Sequence, residues 1–528
     1  MNPLVLKPLV WALILSMPAV LLLSLLIPGK VVHKHRLAFA SFIQACCMVN
    51  AIILGSVSLF VAPFVNSSVL SNGPSFTLDV MARTYGMLTA LLAVAVSGFS
   101  RRYMRADERS GRFMQLIGAA IGCVSMLPLS ASLPMFLAAW IAAGLVLHPL
   151  LTFNRLSSSG AAAAWQKFIV SRLGDVCLFA AMYLFEHRLA SVEFKSMHMA
   201  AIHTSSAALQ LPCVLMVLGA CFKSAQFPFF SWLPDTLDAP TPVSALMHAG
   251  IVNAGGLLLL RTSGMVSMCT AASCVALTAG VLTMCVAAMA LPCQVSVKRS
   301  LAYSTVLQMG FMMAEIGLGA YGAAGLHLAA HAIYKAHAFL RSSTVKPACN
   351  PTVNPTPSQS VPGYAVASAT AVAVSALLLP ITGHTLAEWC LQIVLISAIG
   401  GGLARRWEGA VTPGSVLNGV GVTAALCAMY HLLCGMFASM VVMPVNHHPI
   451  LFSTLAALLI VAGLAMGAMA PLARRLTARI SPAFITMAQS GFYIGNCFNA
   501  LLMRREPVHQ PHYSTSDSTL TRNGELYA

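Results

Sequence analysis

Three titratable residues recur at four-residue intervals in this chain: His327, His331 and Lys335. Positions i, i+4 and i+8 share one face of an α-helix. The residues between them are mostly apolar, so that face would lie inside a hydrophobic segment. Histidine titrates near neutral pH, and the three groups together suit a proton relay. A polar seam that only joins helices would use the same residues. H-x-x-x-H is also a metal spacing, but a catalytic zinc site needs a third ligand and a nearby base. No H-E-x-x-H occurs, and no metal is expected. His337 could extend the array or face the lipid interface.

Lys223 sits deep in the apolar run Leu211–Phe230, which Pro228 and Pro234 then break or end, with Pro240 and Pro242 beyond. A helix broken at membrane depth is tolerated where the freed backbone lines a cavity or packs on protein. A lysine beside such a break can hold or release a proton; the competing reading is that its stem snorkels to the interface. Asp235 and Asp238 fall in the break and are expected to cap helix ends or bind the backbone. His248 opens the next apolar run, where alone it would read as a core residue. Arg172 and Asp175 are spaced for an intrahelical ion pair. Glu315 is a lone carboxylate that must be paired or protonated, and Glu388, after His384, is similar.

The elements that position these residues are set by composition. Only 8% of the 528 residues are charged and 58% are apolar, against about 25% charged in soluble domains. That excludes a soluble enzyme, a disordered chain and a fibrous repeat. Lys+Arg 30 minus Asp+Glu 14 gives +16. No basic stretch is interleaved with aromatics as nucleic-acid binding requires, so the excess reads as basic loops on one side of a membrane. The 15 cysteines form no C-x-x-C pair, and most lie in apolar runs as small hydrophobes. No dinucleotide or phosphate-loop motif occurs, and no cofactor is expected.

Continuous apolar runs predict an all-α polytopic membrane protein of about 14–16 transmembrane helices. They begin near residues 9, 37, 83, 113, 134, 168, 211, 243, 266, 301, 323, 364, 384, 411 and 449, with a further stretch at 481–503. The first run resembles a signal peptide, but no small-x-small site follows it, and it reads as a first span. Basic residues follow odd-numbered spans: Lys30, Lys34 and Arg36, then Arg101 to Arg112, Arg155 with Lys167, and Lys298 with Arg299. Arg405, Arg406, Arg474, Arg475 and Arg479 continue the pattern. These loops are expected in the cytoplasm of a bacterial cell with the N-terminus in the periplasm. The expected organisation is N-terminal helices at 1–80, a core at 81–405, C-terminal helices at 406–506 and a disordered polar tail at 507–528. Residues 345–363 read as a loop.

The segment KSAQFPFFSWLPDTLDAPTPVSALMH (223–248) resembles the signature of the proton-antiporter-like family, which includes antiporter subunits of respiratory complex I and Mrp-type cation/proton antiporters. KRSLAYSTVLQMGFMM (298–313) and the run His327–Lys335 are similar too. Within that family, HAGIVNAGG (248–256), QMGFMM (308–313) and LHLAAHAIYKA (326–336) resemble the membrane subunits of two-subunit inorganic carbon pumps. The resemblance implies two inverted five-helix repeats, each with a broken helix. It places Lys223, His248, His327, His331 and Lys335 on a hydrated path, with Arg172 and Asp175 at family positions. It also implies a DabA-like soluble zinc partner that hydrates CO2, driven by H+ or Na+ flow, with no chemistry on this chain. The alternatives are an antiporter subunit of complex I or Mrp type, and a non-conducting scaffold for a soluble enzyme. The chain departs from the family at Ile141, where a glutamate is expected after Trp140, and near His384, where a lysine is expected.

Overall fold

The computed structural model describes residues 3–61, 76–154, 158–236, 238–343, 369, 413–441 and 482–502. The expected loop at 345–363, the apolar runs from 384 and 449, most of the run from 364 and the tail at 507–528 lie outside the described residues, as do His384 and Glu388.

The described chain is helical. In order the main helices are α1 (Pro3–Leu23), α2 (Arg36–Ser56), α3 (Val80–Tyr103), α4 (Ser110–Met126), α5 (Leu133–Leu151), α6 (Ser158–Leu189) and α7 (Ser206–Lys223). Next come α8 (Thr241–Arg261), α9 (Thr270–Ala290), α10 (Val297–Gly317), α11 (Tyr321–Ser342) and α12 (Pro413–Ala438). Two short helices, Pro482–Gln489 and Ile494–Leu502, lie near the C-terminus. Eight helices among the described residues are long and apolar enough to cross a bilayer. With backbone polar groups satisfied inside each helix, this is the spanning structure that a hydrocarbon core permits.

α6 corrects the sequence reading. It was expected to begin near residue 168, with Lys167 in a basic loop, but it begins at Ser158 and runs for 32 residues. Lys167 lies about 14 Å along it at 1.5 Å per residue and is buried. The Ala-rich stretch before Lys167 is helical, and a hydropathy window that stops at the charge misses it.

α8 is the centre of the bundle. Its most apolar stretch is 94% buried by the rest of the chain, against 17–56% for the other seven spans. It packs on α3, α5, α7, α10 and α11. A π-helical turn, Met247–Ile251, interrupts it; such turns recur at functional sites.

Loops after odd-numbered helices share one end of the molecule, joined by contacts between consecutive pairs. Arg36 Nη1 donates to Asp107 O (2.6 Å), Arg109 Nη1 to Phe153 O (3.1 Å) and Asn154 Nδ2 to Asp238 O (2.7 Å). Arg299 then pairs with Asp235 at 3.2 Å. In this loop layer the Arg109 guanidinium beside Asp107 holds its carboxyl below the usual carboxylate range. At the opposite end, Arg261 binds Asp79 and donates to Pro128 O at 2.6 Å, while His198 Nε2 lies 3.1 Å from Arg261 O. That network clamps the end of α8 to two loops.

α6 and α7 meet backbone to backbone at Gly174 and Gly219. A Cβ on Gly219 would stand 2.8 Å from Leu178 Cδ2 and 3.0 Å from Gly174 O. Small residues let membrane helices approach this closely. Gly219→Val is expected to destabilise the fold by about 1–3 kcal/mol through overpacking. The check is the thermal midpoint in detergent, which should fall.

Candidate functional site

The site is a row of polar groups buried along the middle of the bundle, starting where α6 meets α7. Lys223 ends α7, because the chain leaves the helix at Ser224 for the proline-rich break. The close approach at Gly174 carries Lys223 onto Asp175 of α6: a Cβ on Gly174 would lie 2.8 Å from Lys223 Cγ. Lys223 Nζ forms an ion pair with Asp175 Oδ1, and Arg172 Nη2 lies 2.8 Å from Asp175 Oδ2. Trp140 of α5 places its ring 4.4 Å from Lys223 Nζ, a cation–π contact. Lys223 and Asp175 are almost wholly buried, which excludes the snorkelling reading.

The break carries the row onward. Ser224 Oγ donates to Val252 O (2.9 Å) in α8. The next residue, Asn253, places Oδ1 3.1 Å from His331 Nδ1 of α11. Asn253 Nδ2 donates to Ala249 O (2.8 Å), which fixes the direction of the amide. Within the π turn, His248 stacks on Phe339 of α11 at 4.2 Å and 18°. His248 Nδ1 and His331 Nε2 are buried and have no hydrogen-bond partner among the described residues.

α11 supplies the remainder of the row. Lys335 Nζ donates to Ser304 Oγ (2.8 Å) and Leu301 O (3.2 Å), both on α10. Its ammonium is fully buried and its hydrogen-bond partners among the described residues are neutral oxygens. The ring centroids of His327 and His331 lie 6.2 Å apart. His327 Nδ1 is 2.8 Å from Glu315 Oε2, and Nε2 is 2.6 Å from Gln308 Oε1. Both ring nitrogens of His327 are thus engaged.

Sequence spacing therefore brings His327, His331 and Lys335 to one buried face, and packing adds Lys223 and His248. Glu315 has found the partner that a lone buried carboxylate requires. His337 is exposed and stands apart from the row. Pro228 and Pro234 lie in the break, Pro240 precedes α8, and Pro242 sits in its first turn, where a missing N–H is harmless. Asp235 departs from its expected capping role: it pairs with Arg299, because the break folds back on the start of α10. Pro240 holds the cap position at the start of α8. The sequence reading missed Lys167, Asn253, Ser304 and Gln308. A signal existed for the first: Lys167, Ser171 and Asp175 share the i, i+4, i+8 spacing that marked α11. Among the described residues, no three His, Cys, Asp or Glu side chains converge to hold a metal.

Residues 130–397 match the family described as NADH:quinone oxidoreductase/Mrp antiporter, transmembrane. The chain is 36% identical over 347 residues to "Probable inorganic carbon transporter subunit DabB2" of Halothiobacillus neapolitanus, a match covering 63% of each chain. It is 30% identical to "Probable inorganic carbon transporter subunit DabB" of Hydrogenovibrio crunogenus, covering 78% of this chain and 80% of the relative. NADH-quinone oxidoreductase subunit L of Escherichia coli is 34% identical, with 53% of this chain and 46% of the relative covered. The chain thus spans less than two thirds of the length of two of these three relatives. In fold it is similar to a chain of the Mrp complex from Dietzia sp. DQ12-45-1b, with a TM-score of 0.61 and 21% identity over 95% of this chain and 60% of that one.

Proposed function

From a chain that belongs to the NADH:quinone oxidoreductase/Mrp antiporter family, we propose a membrane subunit of an energy-coupled inorganic carbon pump. It conducts protons along the buried row, and the conducted ions drive CO2 hydration on a soluble DabA-like zinc partner. The reading is supported by relatives named as inorganic carbon transporter subunits. The observation that carries the conducting role is the contrast between two buried lysines. Lys223 is held by a carboxylate, while Lys335 is held by neutral oxygens.

That contrast makes a relay with unequal stations. A proton on Lys223 Nζ is stabilised by Asp175 until a neighbouring charge disturbs the pair. Released into the break, it reaches the unpartnered nitrogen of His248. Lys335 Nζ takes it next and, lacking a counter-charge among the described residues, passes it along α11 through His331 to the His327–Glu315 end. Nitrogen bases suit H+ better than Na+, which as a hard cation favours an oxygen cage; Asp175 and Glu315 are already engaged. The core lies within 81–405, flanked by the N- and C-terminal helices. The basic end faces the cytoplasm of a bacterial inner membrane, and the N-terminus faces the periplasm.

The runner-up is an antiporter subunit of complex I or Mrp type, favoured by the match to subunit L. Purifying the tagged chain in mild detergent separates the two. A large soluble partner containing zinc is expected; NADH dehydrogenase subunits in its place would reject the carbon-pump reading.

A further inference from the structure

Lys167 is a buried lysine that the row just described does not use, and it lies beside that row. Its Nζ donates to Gly144 O of α5 at 3.0 Å. The absence of a side chain at Gly144 makes the room: a Cβ there would stand 3.3 Å from Lys167 Nζ, 3.8 Å from Ser171 Oγ and 3.9 Å from Arg172 Nη2. One helical turn along α5 from Gly144 is His148, half-buried, with Nδ1 lacking a hydrogen-bond partner among the described residues. Trp165 and Phe168 of α6 pack edge-on to its ring at 5.1 and 5.5 Å. His148 is within a turn of Leu151, where α5 ends at the loop layer.

The geometry points to Lys167, with His148 behind it, as an access limb that moves protons between the Asp175–Lys223 pair and the loop end of α5 and α6. This rests on the proton-conducting reading above. The charged groups that act on Lys167 are Lys223 of α7, Arg172 and Asp175 of its own helix, and, from α5, His148. One carboxylate, Asp175, faces Lys167, Lys223 and Arg172, and it already binds the last two. Protons on Lys167 and Lys223 therefore oppose each other, and the two groups titrate as a coupled pair. A proton from the loop-side water adds to His148 and moves to neutral Lys167 Nζ. The new ammonium repels the proton on Lys223 into the break. One proton is gained at the loop end and one is released toward the centre, so the charge balances. In the other direction the same steps reverse.

The test is proton flux in inverted membrane vesicles carrying the complete complex, followed with a pH-sensitive dye across a range of pH. Lys167→Met, Lys167→Arg, His148→Gln and Lys335→Met are compared after confirming that each still co-purifies with its partner. Lys167→Met and Lys167→Arg should both lose flux by about tenfold or more, within the range for proton-transfer groups, because arginine keeps the charge but does not release a proton. His148→Gln should displace the pH profile. Should Lys167→Met fail to assemble, Lys167→Arg decides alone. Wild-type flux in Lys167→Arg at every pH would overturn the inference and leave Lys167 a fixed brace on Gly144. If Lys335→Met is inactive and both Lys167 variants are normal, this inference alone falls. If Lys335→Met is normal as well, the conducting reading falls with it.

Discussion

Lys223→Met is expected to abolish inorganic-carbon-dependent ion flux and to destabilise the protein by about 3 kcal/mol, the low end of the ~3–5 kcal/mol for breaking a buried ion pair. The low end applies because Arg172 stays on Asp175 at 2.8 Å, so the carboxylate is not orphaned. Asp175→Asn should be worse for the fold. It leaves Lys223 and Lys167 buried beside a neutral amide, with Arg172 partly exposed next to them, and uncompensated charge in low dielectric is what a bilayer tolerates least. Thermal midpoints in detergent check the order: wild type highest, Lys223→Met lower, Asp175→Asn lowest. A scaffold that conducts nothing would show the same order of stability but no loss of flux.

Lys335→Met is expected to show the opposite balance. The hydrogen bonds of Lys335 go to Ser304 Oγ and Leu301 O, and methionine fills much of the same volume. Losing hydrogen bonds from a charged group costs about 1.5–3 kcal/mol, but removing a buried ammonium relieves a desolvation penalty of several kcal/mol. The variant should therefore melt at or above the wild-type midpoint while its flux is lost. A large drop in midpoint would mean that Lys335 is chiefly structural. Each lysine is a single cation in an apolar run, and what holds its ammonium is decided by what packing brings to it.

That difference marks the limit of sequence reading here. The break after Lys223 was legible because prolines act locally, and the α11 face because helical spacing does. The membrane class followed from the scarcity of charge. The partner of Lys223 was not legible. Asp175 lies far away in sequence and arrives only because Gly174 and Gly219 let α6 and α7 touch. The glutamate expected after Trp140 is replaced by Ile141, and Lys223 finds its carboxylate in Asp175 on a different helix. Lys167 was assigned to a loop because charge was taken to end a span, whereas the helix begins nine residues earlier. The π turn around His248 leaves no mark in hydropathy, since its residues are as apolar as their neighbours. His384 and Glu388 remain sequence expectations outside the described residues.

The central claim is that protons cross through the buried row and that this chain does so as part of a complex acting on inorganic carbon. It is tested most directly by dye-reported proton movement in vesicles bearing the complete complex, with CO2 and bicarbonate added, for wild type and Lys335→Met side by side. The account predicts carbon-dependent proton movement in the wild type and none in Lys335→Met, with the soluble partner bound equally in both. Equal proton movement in the two would contradict it.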